Sequence, residues 1–148
     1  RFRGNGGEKV PRSGQKLIVN PGIQVLPDKL CYLYYMSLRE ATLPEGLTEI
    51  GQGAFRWCIS LLEIDICTTV EFIDEGAFFG CKGLTKVLEF GFSSSSPHQL
   101  KTIGELAFNS CDSLQRMKIP SSVDFIGQHA FGECKVLVEA ILTASSIT

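Results

Sequence analysis

The chain repeats itself at a fixed interval, and this constrains its fold more than any other feature. Phe55, Phe78, Phe108 and Phe131 lie 23, 30 and 23 residues apart. An alanine directly precedes each of these phenylalanines and a cysteine follows each one by three residues, so three columns share the same intervals. The agreement predicts a 23-residue unit with a seven-residue insertion in its third copy.

Short strand-like segments recur at the same intervals. Five of them begin at a leucine (Leu38, Leu61, Leu84, Leu114 and Leu137), and the first repeat aligns with them through its apolar columns. Apolar and polar residues alternate in these segments, which is the period-2 pattern of a strand with one buried face. The pattern predicts six strands, near residues 16–19, 40–43, 63–66, 86–90, 116–119 and 139–142. Because stacked repeats place equivalent segments side by side, we expect these strands to form one parallel sheet.

An isoleucine in each clear repeat is followed by glycine or aspartate. The residues that follow it are Gly51, Asp74, Gly104 and Gly127. Glycine takes positive φ freely and aspartate tolerates it, so this column predicts a left-handed backbone position.

The repeats define a single domain. We expect a solenoid over residues 16–142, with a non-repeat edge at 1–15 and a tail at 143–148. The first repeat, 16–37, is divergent, since Leu30-Cys31 stands where the other repeats have Ala-Phe.

The repeat motif, IGxxAFxxCxxLxxV, resembles the BspA-like class of leucine-rich repeats. The resemblance extends from Leu17 to Leu142. It implies a leucine-rich-repeat solenoid with short parallel strands on the concave face and loops or short helical turns on the convex side. It also implies a binding or adhesion role, although the repeat type names no ligand.

The cysteines are candidates for disulfide bonds or for metal ligands. Cys58, Cys81, Cys111 and Cys134 share one column, so stacking would place them about 4.8 Å apart with parallel side chains. A disulfide needs convergent Cβ atoms about 3.8 Å apart, so we expect buried free thiols, with disulfides as the lesser alternative. No metal site or cofactor is expected, because the chain contains no C-x-x-C motif. Unpaired thiols mildly favour a reducing compartment, but the compartment stays open.

Nothing in the sequence predicts catalysis or nucleic-acid binding. The net charge is −2, whereas nucleic-acid binders usually carry a basic stripe. The sequence contains no run of about 18 apolar residues, which is the length that a membrane helix requires. His98 and His129 lie away from any nucleophile motif, so we expect surface roles for both and no enzymatic activity.

The outward strand positions are the first candidate binding surface. They are Glu40, Thr42, Glu63, Asp65, Lys86, Leu88, Arg116 and Lys118. This stripe is acidic over two repeats and basic over the next two, which would orient a protein partner of reversed polarity. The alternative is a solvated sheet whose charges pair laterally, for instance Asp65 with Lys86.

The insertion at residues 90–99 is the second candidate. An exposed Phe92 on this loop would anchor a partner, whereas a loop tucked against the repeats would hide it. We also expect a bulge in which Phe90 takes the buried place of Glu89. On the convex side, Trp57 and Phe79 either form an apolar patch or lie partly buried beside the phenylalanine column.

These observations predict a non-catalytic protein-binding module that uses the concave strand face and the 90–99 loop. Two alternatives remain. One is a structural subunit that associates through its last repeat, which shows no polar cap. The other is a secreted adhesin.

Overall fold

The chain folds into a solenoid built from two parallel sheets. The computed structural model describes residues 15–31, 36–88 and 97–142, and side chains are described for these residues except 88 and 139–142. The first sheet contains β1 (Lys16–Ile18), β3 (Glu40–Thr42), β5 (Glu63–Asp65), β7 (Lys86–Leu88), β9 (Arg116–Ile119) and β11 (Glu139–Leu142), in that order. The second contains β2 (Val25–Leu26), β4 (Glu49–Ile50), β6 (Phe72–Ile73), β8 (Thr102–Ile103) and β10 (Phe125–Ile126). Hydrogen-bonded turns, without a helix in the described ranges, complete each coil.

The six-stranded sheet confirms the predicted strands: β1, β3 and β5 are one residue shorter than expected, β9 and β11 have the expected bounds, and β7 reaches Leu88, the last described residue before the gap. Its strands bury the central residue and expose the residues on either side, as β3 and β5 both show. The buried row is Leu17, Ala41, Ile64, Val87 and Met117. Apolar residues at every second position therefore point into the core, which is the physical basis of the period-2 pattern.

The five-stranded sheet is a feature that the sequence pattern did not predict. Each of its strands has only two residues, too few for a period to be visible. The second residue of the first four strands (Leu26, Ile50, Ile73 and Ile103) is fully buried. The isoleucine column is thus the inward row of a second sheet.

The phenylalanine column forms a single stacked file in the core. The rings of Phe55 and Phe78 lie 5.2 Å apart, those of Phe78 and Phe108 lie 5.0 Å apart, and the last step to Phe131 is 5.5 Å. The rings are parallel to within 6° at each step, and the first three side chains are fully buried. The stacking of successive repeats is therefore confirmed.

The left-handed position predicted after each isoleucine is wrong. Gly51, Gly104 and Gly127 have ordinary φ, and so does Asp74. The glycines are instead required by close approach, because a Cβ on Gly104 would lie 2.6 Å from the carbonyl carbon of Asp74 in the preceding coil.

Positive φ occurs two residues later in each coil, and again four residues after that. The first column is Lys29, Gly53, Gly76, Leu106 and His129, and the second is Trp57, Gly80, Ser110 and Glu133. Up to Ser110, the backbone amide at these positions donates to the next coil, as when Leu106 donates to the Gln128 carbonyl at 3.0 Å. These positions turn the chain while keeping its amides paired.

The insertion falls largely outside the described residues. The predictions for Glu89, Phe90 and Phe92 concern residues 89–96, which lie outside the described ranges. The coil has resumed by Gln99, whose amide donates to the Thr68 carbonyl at 3.0 Å, and Leu100 is buried. The inserted residues therefore leave the stacking of the flanking coils unchanged.

Candidate functional site on the concave strand face

Strand register aligns the outward positions of the six-stranded sheet in rows. Lys16, Glu40, Glu63, Lys86 and Arg116 occupy one row on successive strands. The second row, two residues further along each strand, contains Ile18, Thr42, Asp65 and Leu88. The sequence-predicted stripe is thus a continuous part of one surface, with Lys118 two residues after Arg116 on β9.

The charges along this surface change sign at the middle of the sheet. Glu40, Glu63 and Asp65 are exposed on β3 and β5, and Lys86 and Arg116 are exposed on β7 and β9, while Lys118 is half-buried. Neighbouring strands lie about 4.8 Å apart, so the acidic and basic halves adjoin. The four central strands, β3 to β9, therefore have an electrostatic direction along the solenoid axis, while Lys16 on β1 and Glu139 on β11 have the opposite sign at the two ends.

The lateral pair given as an example of the solvated alternative, Asp65 with Lys86, does not form among the described residues. Lys86 lies opposite Glu63 in the register, and Asp65 lies opposite Leu88. Among the described residues, neither acid forms an ion pair with Lys86, although Lys16 does pair with Glu40 at 3.1 Å. Most of the central charges therefore remain available to a ligand.

A groove lies at the ends of the two acidic strands. It has a volume of about 330 Å³ and is lined by Glu40, Ala41, Thr42, Leu43, Glu45, Glu63, Asp65 and Cys67. Burial raises the pKa of the Asp65 carboxyl above its ordinary value. The groove has several carboxylates beside apolar side chains, which suits the stem and charged end of a lysine or arginine.

Cys67 closes one side of this groove. Its thiol donates to the Pro44 carbonyl oxygen at 3.2 Å and lies 3.4 Å from the Thr69 hydroxyl oxygen. Burial raises the pKa of this thiol, so it is protonated near neutral pH. The residue replaces a strand-ending proline and keeps the same turn, because the Val70 amide donates to the Cys67 carbonyl as the Leu47 amide does to Pro44.

Sequence reasoning missed four residues of this surface. Lys16 and Ile18 extend the two rows on β1, while Glu45 and Cys67 reach the groove from the turns after β3 and β5. The alternation in β1, where Leu17 is buried, could have indicated Lys16 and Ile18. No pattern in the sequence indicates the turn residues, because the groove forms between two coils.

The cysteine column belongs to the core rather than to a site. Cys58, Cys81 and Cys111 are fully buried free thiols, which confirms the burial predicted for them, while Cys134 is half-buried. The sequence did not indicate their hydrogen bonds: Cys81 donates to the Phe55 carbonyl oxygen at 3.1 Å and Cys111 to that of Phe78 at 3.3 Å. Burial raises the pKa of both thiols, so neither is poised for nucleophilic or redox chemistry.

The two histidines lie in different surroundings. His129 is exposed at a left-handed turn position and lies 3.2 Å from the Gln128 amide nitrogen. His98 is half-buried beside the inserted segment. In the ranges that the structure describes, no group of three or more His, Cys, Asp or Glu side chains could hold a metal ion, and no helix is long and apolar enough to span a membrane.

The chain is similar to two solved leucine-rich-repeat proteins. A leucine-rich repeat protein from Bacteroides ovatus is 28% identical with a TM-score of 0.72, over 86% of this chain and 33% of that one. The leucine-rich repeat protein of T. pallidum is 31% identical with a TM-score of 0.74, over 84% of this chain and 57% of that one. The chain therefore spans about one third and somewhat over half of these two proteins.

The family comparison agrees with the repeat geometry. No curated protein shows significant similarity to the chain. The model of the BspA type leucine-rich repeat region matches residues 26–148 in six copies. Leucine-rich repeats of this kind generally serve protein interaction and are generally non-enzymatic. With its 23-residue coils, stacked phenylalanines and parallel concave sheet, the chain belongs to the BspA type leucine-rich repeat family.

Proposed function

We propose that this chain is a non-catalytic module that binds a protein partner across the concave strand face. The partner segment runs along the solenoid axis and carries charges opposite to those of the sheet. Its basic side chains lie over Glu63 and Asp65, and its acidic side chains lie over Lys86 and Arg116.

The carrying observation is the sign change in aligned and exposed side chains. Glu63 and Lys86 lie opposite each other on adjacent strands without forming an ion pair. The sheet fixes the backbone positions of these charges before a ligand binds, so binding orders only their side chains. A surface with two blocks of opposite charge also rejects a partner bound in the reverse direction.

The groove adds a specific contact at the acidic end. Its wall from Leu43 to Glu45 approaches Asp65 and Cys67, so a long cationic side chain lies between apolar atoms and carboxylates. Within this proposal Thr42 and Leu88 frame the face, and Phe92 on the 90–99 loop supplies an aromatic contact beside it.

The test is affinity capture of a partner from the source cell, followed by direct titration of the purified partner. Reversal of the basic half, Lys86→Glu with Arg116→Glu and Lys118→Glu, removes attraction and adds repulsion, so we expect affinity to fall at least about 100-fold, since a close charge pair is worth about 1.5 kcal/mol or more. The control for charge is Lys29→Glu with Lys135→Glu, which reverses two lysines away from the strand face, one of them paired with Asp112 at 2.9 Å. Equal affinity of the reversed variant and the wild-type protein would move the contact elsewhere.

The loop contribution is tested separately with Phe92→Ser. We expect weaker partner binding with an unchanged melting temperature. An unchanged affinity would remove the 90–99 loop from the interface and leave the strand face as the proposed site.

A second candidate is association through the last described coil. Ile126 is 39% exposed, whereas its equivalents in the four earlier coils are fully buried. Val138 is 82% exposed on the same coil. A neighbour packed on the end of this coil would cover Ile126, and Ile126→Glu should then prevent any concentration-dependent association seen by analytical ultracentrifugation.

A further inference from the structure

An aromatic cluster flanked by two cations lies on the turns opposite the strand face. We define this convex cluster as Arg56, Trp57, Phe79 and Lys82. Trp57 and Arg56 lie in the turn between β4 and β5, and Phe79 and Lys82 lie in the equivalent turn between β6 and β7. The cluster is therefore built from two adjacent coils.

The four side chains pack in the order Arg56, Phe79, Trp57, Lys82, with the two rings between the two cations. The Trp57 and Phe79 rings meet edge to face with centroids 5.2 Å apart. The Arg56 guanidinium lies 4.5 Å from the Phe79 ring centroid, and the Lys82 ammonium lies 5.8 Å from that of Trp57. A cation–π contact therefore lies at each end of the pair of rings.

Trp57 occupies a backbone conformation that does not suit it. Its φ is 62°, in a column that Gly80, Ser110 and Glu133 fill in later coils. A bulky residue with positive φ is an outlier that the surrounding structure must enforce. Its ring lies directly over Gly80, where a Cβ would come within 2.5 Å of it.

The strained tryptophan is not concealed in the core. Trp57 remains 37% exposed, Lys82 is exposed, and Arg56 and Phe79 are half-buried. A tryptophan needed only for packing would gain more by full burial. Rigid, partly exposed Trp and Arg side chains are the residue types that dominate protein binding sites.

The two positive charges of the cluster favour a partner that carries carboxylates. Neither Arg56 nor Lys82 forms an ion pair with a carboxylate in the described part of the chain. We propose that the convex cluster is a second interaction surface, which binds a peptide segment with carboxylates on either side of an apolar side chain. The apolar side chain covers Trp57 and Phe79, and the carboxylates pair with Arg56 and Lys82.

The chain carries its own probe for this site, because Trp57 is its single tryptophan. The experiment titrates the full chain with the acetylated peptide Glu-Glu-Leu-Leu-Glu-Glu and follows tryptophan fluorescence. We expect a saturable change at peptide concentrations up to about 1 mM, the weak end of specific binding. The matched peptide Lys-Lys-Leu-Leu-Lys-Lys should produce none. No response to the acidic peptide, or equal responses to both, would overturn the proposal.

Two variants locate the binding and separate it from stability. Arg56→Glu with Lys82→Glu keeps the fluorophore and should weaken acidic-peptide binding at least about tenfold. Trp57→Gly places at this position the residue found in the next coil, so it relieves the backbone strain. With labelled peptide and fluorescence anisotropy, we expect it to lose binding while the protein remains folded. Retained binding in either variant would assign the cluster a purely structural role.

A third variant separates this surface from the concave face. Lys86→Glu with Arg116→Glu alters only the strand face, so the Trp57 response to the acidic peptide should be unchanged. If that variant also lost the response, the peptide would be bound by the concave face and the convex proposal would be wrong.

Discussion

The inward and outward sides of the same strands follow different rules. Along β3, β5, β7 and β9 the buried side chain is always apolar: Ala41, Ile64, Val87 and Met117. The outward residue beside it changes from Glu to Glu to Lys to Arg. Buried side chains must be apolar in every coil, because each one packs against its equivalent in the next coil. Outward side chains contact water, so any polar residue is tolerated there. Residues that repeat from coil to coil therefore maintain the fold, and outward residues that differ between coils are the candidates for function.

The largest test of the comparison is removal of one ring from the phenylalanine file. Phe108→Ala should lower the free energy of unfolding by about 3–5 kcal/mol, because the ring is fully buried between two others. Phe131→Ala should cost clearly less, because Phe131 is half-buried and stacks on Phe108. Urea denaturation measures both. Equal losses would mean that stability does not depend on stacking between coils.

The buried thiols predict a loss of stability at alkaline pH. Burial raises the pKa of Cys81 and Cys111 above the ordinary value of 9.0, so both stay protonated in the folded chain while the unfolded chain ionises. The free energy of unfolding therefore keeps this contribution below pH 9.0. Above that pH it falls by about 1.4 kcal/mol per pH unit for each thiol, because the unfolded chain loses the proton.

Cys81→Ala tests this linkage. Urea denaturation between pH 8 and pH 10.5 should show a shallower alkaline loss for Cys81→Ala than for the wild-type protein, by about 1.4 kcal/mol per pH unit. The outward variant Asp65→Asn should keep the wild-type slope, since a carboxyl group is already ionised in this range. Identical slopes for all three proteins would contradict the linkage.

Close approach between coils predicts a smaller effect. Gly104→Ala should cost up to about 3 kcal/mol, because the new methyl group would overlap backbone atoms of Asp74. The methyl group of Gly46→Ala would have no atom within 4 Å, so only the positive φ of 90° opposes the substitution. The expected loss in the free energy of unfolding is about 1 kcal/mol. Thermal denaturation compares them. A larger loss for Gly46→Ala would show that backbone conformation outweighs contact between coils.

The smallest effect on stability is expected on the outward side. Glu63→Lys with Asp65→Lys should change the free energy of unfolding by about 0.5 kcal/mol or less, as is usual for exposed positions. The same variant should abolish binding of the concave-face partner, measured by isothermal titration calorimetry. A large loss of stability would mean that the acidic half is part of the scaffold.

The sequence predicted the features that depend on one coil repeating the next. Phe55 to Phe131 showed the stacking, and the alternation around Ile64 and Val87 showed the strands and their outward rows. The period, the strand positions and the charge pattern could therefore be derived without coordinates.

Features formed by short segments or by two coils together could not be predicted. The two-residue strands, such as β4, are shorter than any detectable period. Gly104 was interpreted through its own backbone, but the cause is Asp74 one coil earlier. The groove has the same origin, since Glu45 and Cys67 belong to different turns and meet only after stacking.

The turn amides that reach forward along the solenoid have a consequence for how the protein is made. Phe55, Phe78 and Phe108 each donate an N–H to a carbonyl of the coil that follows, at 2.7–2.8 Å. On the ribosome that acceptor emerges about one coil later than the donor. Each newly synthesised coil is therefore incomplete until its successor arrives, so ordering should advance with translation, from the amino-terminal side onward.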